Sequence, residues 1–140
     1  MKEEKHTEAL RETMDEIDAS LKDKRGLVAH QRRLALMISL GIAALIEIYF
    51  HRLGIMKAGS NIKHEWFKQS GIKERLGAQI IKSIDSVKNI DNILDMAKNI
   101  EDQRNALAYG SAEEEEVLSE EINTFFGIKK IIEKEVGEIV

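Results

Sequence analysis

The residues best able to do chemistry lie together in the segment Arg104 to Gly110, which reads RNALAYG. A guanidinium group can bind two phosphate oxygens at once, and an adjacent amide can orient a phosphate or a ribose hydroxyl. Arg104 and Asn105 supply these two groups side by side, and Tyr109 adds a phenol about one helical turn later. We interpret Arg104 and Asn105 as candidate phosphate-binding residues, and Arg104, Asn105 and Tyr109 together as candidate catalytic residues.

Two acidic residues, Glu101 and Asp102, precede this segment and are candidate supporting groups. A purely structural alternative also fits the spacing. Arg104 can pair with Glu101 at i, i+3, a contact that stabilises a helix only slightly, while Tyr109 packs on Gly110. The residue types alone favour neither interpretation.

The sequence offers little for metal or cofactor chemistry. A di-iron bundle needs Glu-x-x-His on two helices plus two further glutamates. Glu3–His6 has this spacing but lies at a terminus that we expect to fray. Glu47 and His51 are four residues apart without a second such pair, and His30 and His64 stand alone. With no cysteine and no glycine-rich phosphate loop, we predict no metal centre and no cofactor.

Helices must position the candidate residues, because apolar residues recur at helical spacing and no proline interrupts them. With 43% hydrophobic and 33% charged residues, the chain can build one solvated core. We predict an all-α fold in which residues 1–140 form a single up-and-down bundle of four to five antiparallel helices. Three apolar faces support it: Leu10, Met14, Ile17 and Leu21 before Gly26; Ile80, Ile84, Val87, Ile90, Leu94 and Ala97; and Ile122, Phe125, Ile128, Ile132 and Val136.

The second helix, expected over about Leu27 to Leu53, is apolar on most sides and should be the central one. Its charge-free core, Leu34 to Ile46, has 13 residues, short of the about 20 that span a bilayer, and Glu47 follows it. Gly41 would permit close approach of a neighbouring helix. The first residues carry no apolar stretch typical of a secretory signal. We expect a buried core helix, no membrane association and a cytoplasmic protein.

Between Gly54 and Gly71 the helical pattern is interrupted. Ser60 or Asn61 is predicted to cap a short helix that continues to Phe67. Trp66 and Phe67 form the densest aromatic pair in the chain, and we expect them to dock this segment on the core rather than to stack a base.

Residues typical of helix ends lie on both sides of the candidate residues. The helical pattern from Ile72 to Ala108 allows a break near Ser83–Ser86, and Gly110 is typical of a helix end. Ser111–Glu114 has the spacing of a capping box for a last helix. The acidic run Glu113–Glu116 would then lie in its first turn, where negative charge is favoured.

Charge is distributed unevenly along the chain. Residues 1–19 carry a net charge of −4, residues 20–82 carry +8 and residues 83–140 carry −8. A basic middle segment can meet phosphate, or it can face the acidic helices within the bundle or a dimer. The self-complementing interpretation is the simpler one.

At Arg104 and Asn105 the chain resembles the HEPN family (higher eukaryotes and prokaryotes nucleotide-binding), whose signature is Arg, a polar residue often Asn, a few residues and then His near the end of a core helix. The apolar stretch SLGIAALIEIYFHRLG and the acidic helix after Gly110 are also similar. The resemblance implies a small helical homodimer that handles RNA or nucleotides. It also implies a partner nucleotidyltransferase, as in toxin–antitoxin pairs, and in many members a metal-independent endoribonuclease.

The departure from the family lies at Tyr109, which stands where the signature has His. The resemblance implies that Arg104 holds the phosphate and that His moves a proton, work for which imidazole is suited and a phenol is not. Three hypotheses follow: a module that binds RNA or nucleotide phosphate with weak or absent catalysis, an active ribonuclease toxin, and a helical interaction protein without a ligand. In the second, His30 or His51 could replace the missing His across a dimer.

Overall fold

Five α-helices form an all-α bundle in the computed structural model, which describes residues 3–140. Within that range the only pairing of extended backbone is an isolated antiparallel bridge between Met56 and Ile80. The predicted fold class is therefore confirmed. The helices are α1 (Glu3–Lys22), α2 (Gln31–Arg52), α3 (Ile72–Gly77), α4 (Ile90–Tyr109) and α5 (Glu115–Val136), with 3₁₀ turns at Leu27–His30, His64–Lys68 and Ile84–Ser86.

Helix α2 is the central helix, because α1, α4 and α5 all pack against it. With the preceding 3₁₀ turn it is long and apolar enough to cross a membrane by length and composition alone. However, 78% of its most apolar window is buried inside the bundle. This burial fits the core helix of a soluble protein and agrees with the expectation from the sequence.

Helix α1 buries the predicted stripe except for its last residue. Leu10 and Ile17 are in the core, but Leu21 is 59% exposed, and Thr13 and Ser20 are also buried. Thr13 packs closely against α2, and its Oγ1 donates a hydrogen bond of 2.9 Å to the carbonyl of Met37. A small hydroxyl side chain, Thr13, therefore lies where these two helices approach each other.

Gly41 lies where these helices pack closely together. A Cβ at this position would lie 2.8 Å from Thr13 Oγ1 and 2.9 Å from a ring carbon of Phe125. Both distances are shorter than real Cβ contacts, so the neighbouring helices have taken the space of the missing side chain. The predicted close approach at Gly41 is confirmed.

The segment between α2 and α4 contains little regular helix. The predicted cap is wrong, since the 3₁₀ turn begins after Lys63 and neither Ser60 nor Asn61 caps it. Phe67 is fully buried, as expected for a docking residue. The expected break before α4 is present and begins earlier, at the end of α3, so Ile80 is buried from a loop rather than from a helix.

The start of α5 differs from the predicted capping box. Glu114 is the N-cap residue and no side chain caps the helix. Glu115 lies in the acidic first turn, as predicted, and its carboxylate accepts the backbone N–H groups of Leu27 and Val28 at 3.1 and 3.2 Å. The acidic turn therefore anchors the connection between α1 and α2.

Candidate functional site

The end of α4 presents the segment that contains Arg104, Asn105 and Tyr109. Gly110 follows, and its N–H donates to the carbonyl of Ala106 at 2.8 Å. A Cβ at Gly110 would lie only 2.4 Å from that same oxygen, so a larger residue cannot take this conformation without a shift. The glycine thus ends the helix directly after Tyr109.

Arg104 and Asn105 form a pair at the surface. Arg104 is half-buried and Asn105 is exposed, and Nη1 of the arginine donates to the amide oxygen of the asparagine at 2.9 Å. Among residues 3–140 Arg104 forms no salt bridge, and its Nε is buried without a hydrogen-bond partner. The guanidinium charge is therefore not neutralised by a carboxylate, and the alternative pairing with Glu101 is not what the structure contains.

The two acidic residues next to this pair have other partners. Glu101 is only 4% exposed. It accepts a hydrogen bond of 2.7 Å from Ser39 Oγ, and its other oxygen lies 2.8 Å from Nδ1 of His64. Asp102 is exposed and pairs with Lys98 at 2.6 Å along the helix. Within the described residues, neither carboxylate forms a salt bridge with the candidate guanidinium.

Tyr109 lies beside an arginine that the sequence did not single out. The ring is 65% exposed, and the guanidinium carbon of Arg32 on α2 is 5.6 Å from its centroid. This distance is typical of a cation–π contact. An open pocket of about 420 Å³ adjoins the pair and is lined by Val28, Ala29, Gln31, Arg32, Leu107, Ala108, Tyr109, Gly110 and Ala112.

Helix geometry decides how these groups face the solvent. Asn105 and Tyr109 are four residues apart and share one face of α4. Arg104 is rotated by about 140° from Tyr109, and its side chain extends toward Asn105 to reach the surface. The arrangement therefore offers an amide, a phenol ring and two guanidinium groups, with Arg104 outside the pocket and Arg32 on its wall.

Some arginines of the basic segment are paired with carboxylates, whereas others, among them Arg32 and Arg75, contact aromatic rings instead. Arg33 pairs with Glu16 at 3.1 Å, and Arg52 lies 3.5 Å from Glu3, so part of the basic segment does complement the acidic first helix. Arg32 has no such partner within the described part of the chain and contacts an aromatic ring instead. The self-complementing interpretation therefore holds for some of these residues and not for Arg32.

A second buried carboxyl lies close to Glu101. Burial of Glu121 on α5, and then the nearby charge of Glu101, raise the pKa of Glu121 to about 8. One of its oxygens, Oε1, has no hydrogen-bond partner among residues 3–140. The buried side of α4 therefore faces a carboxyl that holds a proton at neutral pH.

His30, considered above as a substitute for the missing histidine, is occupied in the structure. Its two ring nitrogens lie 2.9 Å from Glu16 and 2.8 Å from Asp23, and the ring is buried. Hydrogen bonding to Glu16 and then to Asp23 raises the pKa of His30 above its ordinary value. The residue therefore serves as an ion-pair partner where α1 meets the following turn.

A separate cluster joins α1 and α2. His6 on α1 is 6% exposed, and its Nε2 contacts Oε2 of Glu47, which is 3% exposed. His51, one turn further along α2, adds a third group, and the ring centroids of His6 and His51 are 5.7 Å apart. The sequence placed His6 at a fraying terminus, whereas the structure buries it inside a helix that begins at Glu3.

No protein-family model, curated protein or solved structure matches this chain. The resemblance to the HEPN family therefore stands on the residues quoted for it.

Several of these residues carry no local signal. Ser39, His64 and Glu121 are isolated in the sequence and meet Glu101 only through helix packing. Arg32 lies in the basic middle segment, so the charge distribution indicated the region without indicating the residue.

Proposed function

We propose that the protein is a HEPN-like module that binds RNA or nucleotide phosphate at the end of α4, with catalysis weak or absent. The observation that carries the proposal is the free guanidinium of Arg104, held by Asn105 at the surface and paired with no carboxylate within residues 3–140. An arginine whose charge is not paired with a carboxylate is suited to bind phosphate oxygens.

The exposed ring of Tyr109 adds a second element to the proposed site. Proteins that bind single-stranded nucleic acid combine cationic groups for the backbone with aromatic rings on which bases stack. Tyr109 and the adjacent Arg32 supply these two components beside an open pocket. In this proposal Arg104 and Asn105 bind one phosphate, Arg32 attracts a neighbouring one, and Tyr109 stacks a base.

The resemblance adds two proposals about partners: a homodimer and a nucleotidyltransferase of a toxin–antitoxin pair. It also supplies the alternative activity, a metal-independent endoribonuclease in which the ribose 2′-hydroxyl attacks the phosphate and Arg104 stabilises the developing charge. A tyrosine where the family signature has His favours binding over cleavage, because a phenol is a poor general base at neutral pH.

Fluorescence anisotropy with a labelled single-stranded RNA, in EDTA, tests the proposal. We expect salt-dependent binding that Arg104→Ala weakens by at least about tenfold, since charge-assisted hydrogen bonds are lost. Arg32→Ala should weaken binding less. Arg11→Ala is the matched control, because Arg11 is an exposed arginine on α1, far along the chain from the site.

Gel analysis of the same samples separates the alternatives. Intact RNA, bound by wild type and not by Arg104→Ala, supports the binding module. Cleavage that Arg104→Ala abolishes would replace it with the ribonuclease. Absence of both binding and cleavage, or equal loss in Arg11→Ala, would contradict the proposed site and leave an interaction protein without a ligand.

A further inference from the structure

The contact between α1 and α2 brings three metal-ligand side chains together from distant parts of the chain. Glu47 and His51 are four residues apart on α2 and share a face, and His6 of α1 meets that face. One ligand atom from each of the three lies within 4.8 Å of the others. This convergence is absent from the sequence pattern, since 41 residues separate His6 from Glu47.

An ion pair between His6 and Glu47 explains only part of the cluster. Nε2 of His51 is also buried, and it has no hydrogen-bond partner in residues 3–140. A buried polar atom without a partner costs free energy, so native proteins rarely keep one without a reason. The third nitrogen, directed to the same place as the other two groups, points to a ligand that all three share.

The carboxylate of Glu47 is oriented by the chain around it. Its second oxygen, Oε1, accepts the backbone N–H of Ile62, which leaves Oε2 directed at the histidines. Hydrogen bonds of this kind to ligating groups fix their orientation in known metal sites. The carboxylate is therefore held in position before any ligand arrives.

An open pocket of about 240 Å³ adjoins the cluster, while Nε2 of His6 and Oε2 of Glu47 are themselves buried. The wall of the pocket includes His6 and Glu47, together with Ala43 of α2 and Asn61 of the following loop.

We propose that His6, Glu47 and His51 form a Zn²⁺ site that joins α1 to α2. Two imidazole nitrogens and one carboxylate oxygen are a common ligand set for zinc, with the fourth position open. Ligand atoms about 2.1 Å from a tetrahedral metal lie roughly 3.4 Å apart. Side-chain rotations that separate His6 from Glu47 and bring the His51 ring nearer, each by about an ångström, would give this spacing. The site is independent of the proposed phosphate-binding function.

Titration of the untagged, EDTA-treated protein with Co²⁺ tests the site, because Co²⁺ adopts zinc geometries and absorbs visible light when bound. We expect d–d bands that saturate at one equivalent and that Zn²⁺ abolishes. His51→Gln should weaken Co²⁺ binding by at least about tenfold, since it removes a ligand rather than an outer-shell group. Glu47→Gln, which keeps an acceptor for Ile62, should do the same.

His64→Gln is the matched control, because His64 is likewise partly buried but contacts Glu101 at another place in the fold. Its Co²⁺ affinity should equal that of wild type, and circular dichroism checks that all variants are folded. The proposal is overturned if wild type gives no saturable d–d bands, or if His51→Gln and Glu47→Gln bind Co²⁺ as well as His64→Gln does.

Discussion

The two candidate sites differ in how the chain builds them. At the end of α4, Arg104, Asn105 and Tyr109 are neighbours in the sequence and are exposed or half-buried. At the contact of α1 and α2, His6 and Glu47 are buried groups from distant segments. A site of the first kind is visible in a sequence motif, whereas the second exists only once the helices have packed.

This difference has an energetic consequence. Water solvates an exposed charge, so removing it changes binding far more than folding. A buried polar group is stabilised by its partners alone, and removing one partner leaves the other without compensation. We therefore expect substitutions at the α1–α2 cluster to alter stability, and substitutions at the end of α4 to leave it nearly unchanged.

The largest effect is expected for Glu47→Ala. This change removes the partner of His6 and the acceptor of the Ile62 N–H, both in the bundle interior. We expect the free energy of unfolding to fall by about 2 to 4 kcal/mol, measured by urea denaturation in EDTA. Glu120→Ala, at an exposed position on α5, is the control and should change it by less than about 0.5 kcal/mol. If the two changes lowered the free energy of unfolding equally, the expected difference between buried and exposed groups would be wrong.

A pH-dependent effect of similar or smaller size is expected at Glu121, on the buried side of α4. Its folded-state pKa of about 8 lies above the ordinary value of 4.5, so the folded protein binds a proton that the unfolded chain releases. Stability from this group is complete below about pH 4.5 and is lost as the pH rises to about 8. Glu121→Gln imitates the protonated carboxyl and should remove this loss.

Urea denaturation of wild type and Glu121→Gln at pH 5, 7 and 9 measures that difference, and contributions of titrating groups that do not interact with Glu121 cancel between the two proteins. We expect the variant to be the more stable by roughly 2 kcal/mol or more at pH 9, with a smaller difference at pH 5. A difference that does not change with pH would mean that Glu121 is ionised in the folded protein.

A steric effect of about 1 to 3 kcal/mol is expected for Gly41→Ala, where a Cβ would meet Thr13 and Phe125. Because Gly41 lies on α2 before Glu47, this change tests whether close helix packing positions the buried cluster. Co²⁺ affinity should fall together with the thermal midpoint. Gly77→Ala is the control, since its Cβ would meet open space at the end of α3, and it should be neutral or slightly stabilising.

The fold could be predicted from the sequence because α2 is apolar on most sides and the other long helices carry apolar residues at helical spacing. The pattern on α5 places Phe125, Ile128 and Ile132 in the core, as observed. The prediction failed at two positions of α1, where Leu21 is exposed and Thr13 is buried. Hydrophobicity alone cannot foresee that Thr13 lies at a close contact with α2.

The helix caps also could not be predicted from the sequence pattern. Ser111–Glu114 has the right residues for a capping box, yet the N–H of Glu113 is bound by Gln31 from another helix at 2.8 Å. A tertiary partner has taken the place of the local one. The cluster at His6 could not be predicted for the same reason. Its partners, Glu47 and His51, lie on another helix and become neighbours of His6 only when the helices pack.

The smallest effect on stability is expected for Tyr109→Ala, and it separates the two regions most sharply. The ring is mostly exposed, and its contact with Arg32 is a cation–π interaction at the surface. The free energy of unfolding should fall by less than about 1 kcal/mol. If the ring stacks a base, the same change should weaken RNA binding by roughly five- to a hundredfold, whereas Tyr109→Phe, which keeps the ring, should bind RNA nearly as wild type does. A loss of RNA binding in Tyr109→Phe equal to that in Tyr109→Ala would transfer the role from the ring to the hydroxyl, and would then favour a hydrogen bond from Tyr109 to the RNA over stacking.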